Sequence, residues 1–376
     1  MLSSNNKTLF GEWSSEKTIL VATWRFLILI TSLAGNVTIL TVVTRYHAIK
    51  LGQVTTTFIG HLAASDLGLA LFVMTPVLGL SLVPDSRVNH FLCSAVCFTC
   101  IVFISSSMLL VCLFNISKIA TIVFPLRSRA WTSRSAHVVV ALSWAWCGLS
   151  AISYVNMGGE TVYYDYRIRC CMVTTNSEGY KWFSVFKTLV GVGVPGILII
   201  LSTLWLLSFS QRQAKTHGRS SLQFQSAVTA ISIATTYCLS YVPFFIYQSL
   251  LYFTLGQKQF YTTPSLLTEE TTMVVVVEYD KFGTPMSGFI YTDFYLMACL
   301  LTFLNTGVNF FIYLASITSF RQFIVRRLER VWWGRSDRVP LSARQDLLSR
   351  RRVVTFSFHG IGDTATDICF SSGVLH

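Results

Sequence analysis

Charge is scarce in this chain: only 12% of its 376 residues are Asp, Glu, Lys or Arg, about half the fraction usual in a soluble domain. With 52% hydrophobic residues and a mean hydropathy of +0.56, that scarcity excludes an ordinary water-soluble globule. Acids are scarcer than bases, and they are unevenly placed. Three connections between apolar runs contain no acid at all; they carry Arg45 and Lys50, then Arg127, Arg129 and Arg134, then Arg212, Lys215 and Arg219. The net charge of +12 is thus divided among short connections and a tail, and this excludes the continuous basic surface that a nucleic acid needs. No cysteine spacing fits zinc. No nucleophile, base and orienting group fall at one depth, so no enzyme is expected. The residues through Lys17 lack a basic-then-apolar leader, so the first apolar run is expected to serve as an uncleaved targeting signal.

What is abundant is length of apolar sequence. Crossing a hydrocarbon layer of about 30 Å takes about 20 residues of helix. Seven runs suffice, near 18–44, 56–82, 90–122, 136–156, 183–208, 222–253 and 290–316. Helices are required because lipid offers backbone polar groups no partner. The expected fold is therefore an all-α, integral membrane bundle of seven helices over 18–316, behind a polar N-terminal tail, 1–17. The acid-free connections lie on the cytoplasmic side by the positive-inside rule, leaving the N-terminus outside and the C-terminus inside. All ten basic residues after Thr318 are arginines, which agrees. Phe320, Phe323, Ile324 and Leu328 recur at helical spacing among Arg321, Arg326, Arg327 and Arg330. That pattern predicts a short amphipathic eighth helix on the inner leaflet, 317–333, with Trp332 and Trp333 in the headgroup layer. The Ser-, Thr- and Arg-rich remainder, 334–376, reads as a flexible cytoplasmic tail. Asn6-Lys7-Thr8 is a glycosylation sequon in the outer tail; the matches at Asn36 and Asn115 lie in spans, beyond a glycosyltransferase's reach.

Polar residues inside spans are costly and mark functional positions. Gly35-Asn36-Val37 lies in the first run, Leu62-Ala63-Ala64-Ser65-Asp66 in the second, Ser107 in the third, and Asn305 through Tyr313 in the seventh. In this order the set resembles the GN, LAxxD and NPxxY signatures of the rhodopsin-like G-protein-coupled receptor family. The resemblance covers Asn36 to about Arg327. It implies that Trp144, with Trp146 as rival, is the structural tryptophan of the fourth helix, and that Pro195 and Pro243 are the prolines of the fifth and sixth. It implies a disulfide from Cys93 to the second outer connection, where Cys170 and Cys171 are both candidates. The remaining cysteines in apolar runs are expected to pack as small hydrophobes. The resemblance further implies a sodium site formed by Asp66, Ser107, Asn305 and Asn309, oxygen donors suited to a hard cation. No other cofactor is implied.

Several relay positions depart from the family. The DRY tripeptide is Ser117-Lys118-Ile119, the switch tryptophan is Tyr241, the NPxxY proline is Phe310, and the fifth-helix tyrosine is Thr203; Tyr313 is kept. Lysine lacks the planar fork of arginine, and Gln223 replaces the sixth-helix acid with which some members lock that arginine. Cys100 stands where aminergic members hold aspartate, and Phe303 where opsins hold the retinal lysine, which argues against a monoamine and excludes a Schiff base. Arg25, near the outer end of the first run, is expected to snorkel to the interface. Glu269, Glu270, Glu278 and Asp280 on the long outer connection would steer a basic peptide or simply solvate a loop. The expected function is a plasma-membrane receptor passing a signal from an extracellular ligand, a peptide for preference, to a G protein. The alternatives are a receptor fold that scavenges or engages arrestin alone, and a transporter. Transporters commonly show internal repeats, and none is visible here.

Overall fold

The computed structural model describes residues 14–45, 53–82, 90–124, 132–156, 160–165, 169–175, 189–216, 222–254 and 289–332. Helix α1 is Ser15–Arg45, α2 is Gln53–Leu82, α3 is His90–Val123 and α4 is Ser133–Asn156. Two strands follow, β1 (Glu160–Asp165) and β2 (Cys170–Thr175). Helix α5 is Val194–Thr216, entered through a π-helical turn at Leu189–Gly193; α6 is Leu222–Thr254, α7 is Phe289–Ser316 and α8 is Thr318–Trp332. Seven of these helices are long and apolar enough to cross a membrane. Their bounds lie within three residues of the expected spans for all but the fifth, which runs on to Thr216, eight residues past the expected end at 208, and whose expected start, 183–188, lies outside the described residues. So do Asn6, Trp333, the acidic residues of the long outer connection and the tail from 334.

The helix ends and hydroxyls explain why these runs tolerate lipid. Ser14 caps α1, its Oγ accepting from Lys17 N at 3.1 Å, and Thr132 caps α4 by accepting from Ser135 N at 3.3 Å; each satisfies an amide that helix geometry leaves bare. Within α1, the hydroxyls of Thr31, Thr38, Thr41 and Thr44 each donate to the carbonyl four residues earlier at 2.7 Å. A threonine can then face hydrocarbon with no unpaired donor.

The bundle is apolar outside and carries its polar residues within. Val138, Leu142 and Leu149 of α4 and Ile197, Leu201 and Leu204 of α5 are exposed. Asn36, Ser65, Asp66, Ser107, Asn115, Asn305 and Asn309 are buried. One core, toward the C-terminal end of α1, joins Ile39, Phe58, Leu110, Leu206, Ile233, Tyr241 and Tyr313; the other, called the outer core for its place beside the β1–β2 hairpin, joins Leu69, Val77, Val96, Tyr164, Cys171 and Phe303. Helix α2 contains a π-helical turn, Ala70–Met74, with Thr75 N and Thr75 Oγ1 both donating to Ala70 O. Both π turns stand just ahead of a proline, Pro76 and Pro195, whose missing N–H breaks the regular ladder.

An antiparallel hairpin lies between α4 and α5, its six-residue strands too short to stand out as apolar runs. Its register pairs Glu160 with Thr175 through Asp165 with Cys170. Period-two alternation turns Val162, Tyr164 and Cys171 toward the outer core. Arg169, at the entry to β2, takes a left-handed φ of 49°, a strained conformation for a residue with a Cβ. The chain divides into two units, residues 1–324 and 325–376. Of the second only 325–332 is described, a helical stretch with Val325, Arg326 and Arg327 exposed.

Helices α1 and α7 meet through small residues. A Cβ on Gly35 would lie 2.8 Å from the Cβ of Phe310, and one on Gly307 would lie 3.3 Å from Thr31 Cγ2. Phe310 Cβ is attached to backbone and has no rotamer escape, so Gly35 is required by this phenylalanine. Gly35→Ala is expected to cost about 1–3 kcal/mol, the usual penalty of overpacking, read as a fall in the thermal unfolding midpoint of the purified protein. Adding Phe310→Gly, which removes the opposing Cβ, should recover part of that loss.

Candidate functional site

The site is a polar axis through the middle of the bundle, and Asp66 is its centre. Asp66 is 0% exposed. Its Oδ1 accepts from Ser107 Oγ of α3 at 3.1 Å, and its Oδ2 accepts from Asn309 Nδ2 of α7 at 2.7 Å. Ser107 also lies 3.0 Å from Ser65 Oγ, which in turn donates to Phe103 O at 2.9 Å. Three helices are thereby joined at one carboxyl. Asn305 is buried on α7 four residues before Asn309, hence on the same helical face. The Oδ1 of Asn309 is buried without a hydrogen-bond partner, as is the hydroxyl of Tyr313. Asn36 ties α1 to this axis, its Nδ2 donating to Ser32 O and to Thr306 O, each at 2.9 Å.

Toward the C-terminal end of α3, Lys118 is 8% exposed. Its Nζ donates to Thr55 Oγ1 on the first turn of α2 at 2.6 Å and stands 5.2 Å from the centre of the Phe114 ring. The preceding Ser117 turns its hydroxyl onto Phe114 O at 2.7 Å, a bond internal to α3. One turn inward, Asn115 Nδ2 donates to Ser202 and Thr203 of α5, both at 3.2 Å. Thr203, where the family resemblance led to an expectation of tyrosine, is therefore joined to α3 by an asparagine that sequence alone marked only as an unusable sequon. Thr229 of α6 donates to Ser316 of α7 at 3.0 Å. Gln223 is the second residue of α6, and its side chain lies outside those described.

Tyr241 is buried and stacks on Tyr237 with ring centres 4.1 Å apart, with Phe245 beyond at 6.2 Å. Pro243, inside α6, follows two residues later. Tyr313 packs edge-on against Phe320 of α8, 6.2 Å away, and Phe310 does the same at 5.9 Å. Trp144 faces inward, edge-on to Phe103 at 5.8 Å, whereas Trp146 is 52% exposed.

At the outer end Cys93 is bonded to Cys171. Alternation along β2 decides this choice, since Cys171 lies opposite Tyr164 on the inward face and Cys170 is one residue out of phase. Arg25 corrects the expectation that it snorkels. It is 4% exposed and turns into the bundle, donating to Ser81 Oγ and, at 3.5 Å, to Val77 O. Arg169 reaches the same place and donates to Ser81 O at 2.6 Å, while Tyr164 donates to Leu80 O at 3.3 Å. The last turn of α2 offers these donors acceptors within the protein, which the interface would otherwise supply.

Seven spanning helices around a buried carboxyl, closed outside by a disulfide-linked hairpin, define a seven-transmembrane receptor bundle. The chain belongs to the rhodopsin family: residues 35–313 match the model described as "7 transmembrane receptor (rhodopsin family)". The cholecystokinin receptor type A of Mus musculus is 29% identical over 220 residues, covering 54% of this chain and 48% of that protein; its Homo sapiens counterpart is 33% identical over 220 residues, covering 54% and 49%. The annetocin receptor of Eisenia fetida is 31% identical over 118 residues, covering 31% and 28%. The chain thus matches about half the length, or less, of these curated relatives. Squid rhodopsin shares the fold, with a TM-score of 0.65 at 14% identity, covering 92% of this chain and 95% of that one.

The two adjacent cysteines separate cleanly in an experiment. Cys171→Ala should lower stability by about 2–5 kcal/mol and leave a Cys93 thiol that alkylates in the denatured protein without prior reduction. Cys170→Ala should keep the Cys93–Cys171 peptide pair in a non-reducing digest. Loss of that pair in Cys170→Ala would reverse the assignment.

Proposed function

We propose that this protein is a plasma-membrane receptor, N-terminus outside, that binds an extracellular peptide and passes the signal to a heterotrimeric G protein. The single observation that carries this reading is the Asp66–Ser107–Asn309 junction, in which α2, α3 and α7 share one buried carboxyl and can be repacked together. Two further facts support it. The relatives named above are receptors for the peptides cholecystokinin and annetocin. By the positive-inside rule, the acid-free basic connections favour a cytoplasmic position for the end of the bundle that holds Lys118. A ligand acts on such a bundle by favouring one of two existing packings. In the packing described, Lys118 is held by Thr55, which takes over the role of the absent acid as its partner.

The test is recruitment of a G protein to the receptor in cells, with a peptide library as the ligand source. A hydrogen bond to a charged group is worth about 1.5–3 kcal/mol, and each 1.4 kcal/mol is about a tenfold change in an equilibrium. Thr55→Val should therefore raise basal recruitment about tenfold, and Lys118→Ala should abolish it. Absence of recruitment under every peptide, with arrestin still recruited, would favour the receptor fold that engages arrestin alone. Peptide uptake without either partner would favour scavenging.

The residues of the junction also fit a sodium ion. Asp66, Ser107 and Asn309 supply oxygens, Asn305 lies on the same face, and the buried Oδ1 of Asn309 lacks a donor; an alkali ion would neutralise the carboxylate where hydrocarbon cannot. The ion's contribution would be electrostatic, with the side chains holding it between helices. Sodium chloride in place of choline chloride at equal ionic strength should raise the thermal midpoint of the purified receptor. Asp66→Asn should remove that difference, and an unchanged difference would remove the ion from the proposal.

A further inference from the structure

Helices α2 and α4 meet along a polar seam that the receptor mechanism does not use. Thr57 Oγ1 and Ser133 Oγ lie 3.4 Å apart, and one helical turn further in His61 Nε2 and His137 Nδ1 lie 3.3 Å apart. The two pairs repeat at four-residue spacing on both helices, so they form consecutive rungs of one interface. His61 is half-buried and His137 exposed. Ser133 opens α4 and Gln53 opens α2, which places the histidines about one to two turns from the cytoplasmic ends.

We infer that His61 and His137 form a two-imidazole binding site for a transition-metal ion of the zinc class, clamping α2 to α4. The geometry carries the inference. Two Zn–N bonds of about 2.0–2.1 Å meeting at a tetrahedral angle hold their nitrogens about 3.3 Å apart. The observed separation matches that chord. The rings sit edge to face at 74°, centres 5.5 Å apart, so their planes differ as those of two ligands on one tetrahedral ion do. Each ring contributes a different nitrogen, which leaves His61 Nδ1 and His137 Nε2 as the N–H donors when a metal is bound. Imidazole pairs select zinc, copper or nickel over the hard cations magnesium and calcium. Among the described residues no third His, Cys, Asp or Glu joins the group, so water or a solvent anion would fill the remaining positions. An ion here fixes α2, the helix that carries both Thr55 and Asp66, and so favours the packing in which Lys118 is held.

The experiment is thermal unfolding of the full-length protein in phosphatidylcholine nanodiscs, with zinc chloride as the probe and magnesium chloride as the hard-ion control. Saturating Zn2+ should raise the midpoint by about 2–4 °C, and Mg2+ should not. His61→Ala and His137→Gln should each lose the shift. The glutamine variant preserves a side chain that can hydrogen-bond to His61, so its loss of response separates a metal site from a hydrogen-bonded pair. His137→Cys should retain the shift, because a thiolate replaces the imidazole. A wild type that does not respond, or a shift that survives in His137→Gln, overturns the site.

Discussion

A carboxyl group with no accessible surface, placed among apolar helices, has to be met by donors from its neighbours or by a proton or cation. Asp66 is met from two sides, by α3 through Ser107 and by α7 through Asn309. Since both bonds point at one residue of α2, neither helix can turn about its axis without releasing the carboxyl. The polar residues of the bundle are arranged around that requirement. Asn36 anchors α1 to the backbone of α7 beside the junction. Gly35 and Gly307 let those helices come close enough for the bond to form. Apolar packing alone gives lipid-immersed helices little reason to prefer one register, because lipid is as apolar as leucine. The buried polar axis supplies that preference.

The outer end follows a different rule. There the chain leaves hydrocarbon and covalent and charged groups take over. The Cys93–Cys171 bridge fastens the hairpin to the top of α3. Ser81 then gathers Arg25 from α1 through its hydroxyl and Arg169 from the hairpin through its carbonyl. The left-handed backbone at Arg169 is held in place by the bond its own side chain makes to α2. A strained residue is retained where its surroundings over-determine it, and here the disulfide two residues on and the guanidinium bond do so. The hairpin is therefore a fixed cover over the outer core.

Much of this was legible in the residues, for reasons that differ from part to part. The spans were readable because hydrocarbon imposes a length and a composition that few other structures share. Asp66, Ser107 and Asn309 were readable because a polar side chain in such a span is conspicuous. The hairpin was not, since six-residue strands carry no such signature and Tyr163 and Tyr164 blur its alternation. The choice between Cys170 and Cys171 depended on that unseen alternation. Arg25 misled because its neighbours in sequence are apolar; its acceptors, Ser81 and Val77, lie more than fifty residues away on another helix. Asn115 and the His61–His137 pair were missed likewise, because each gains meaning only from a partner on a different helix.

The substitution at Lys118 follows from the same reasoning. Arginine at this position would present a planar fork suited to a carboxylate, but residue 117 is serine, whose hydroxyl is spent on Phe114 O. A guanidinium with one hydroxyl partner would leave several donors unmet in a nearly buried place, whereas an ammonium has only three and can aim them freely. Lys118 aims one at Thr55 and lays its charge beside the face of Phe114, an arrangement that a ring quadrupole favours. The contact that holds Lys118 lies between α3 and α2, so the position of this ammonium and the packing of α2 are tied to each other.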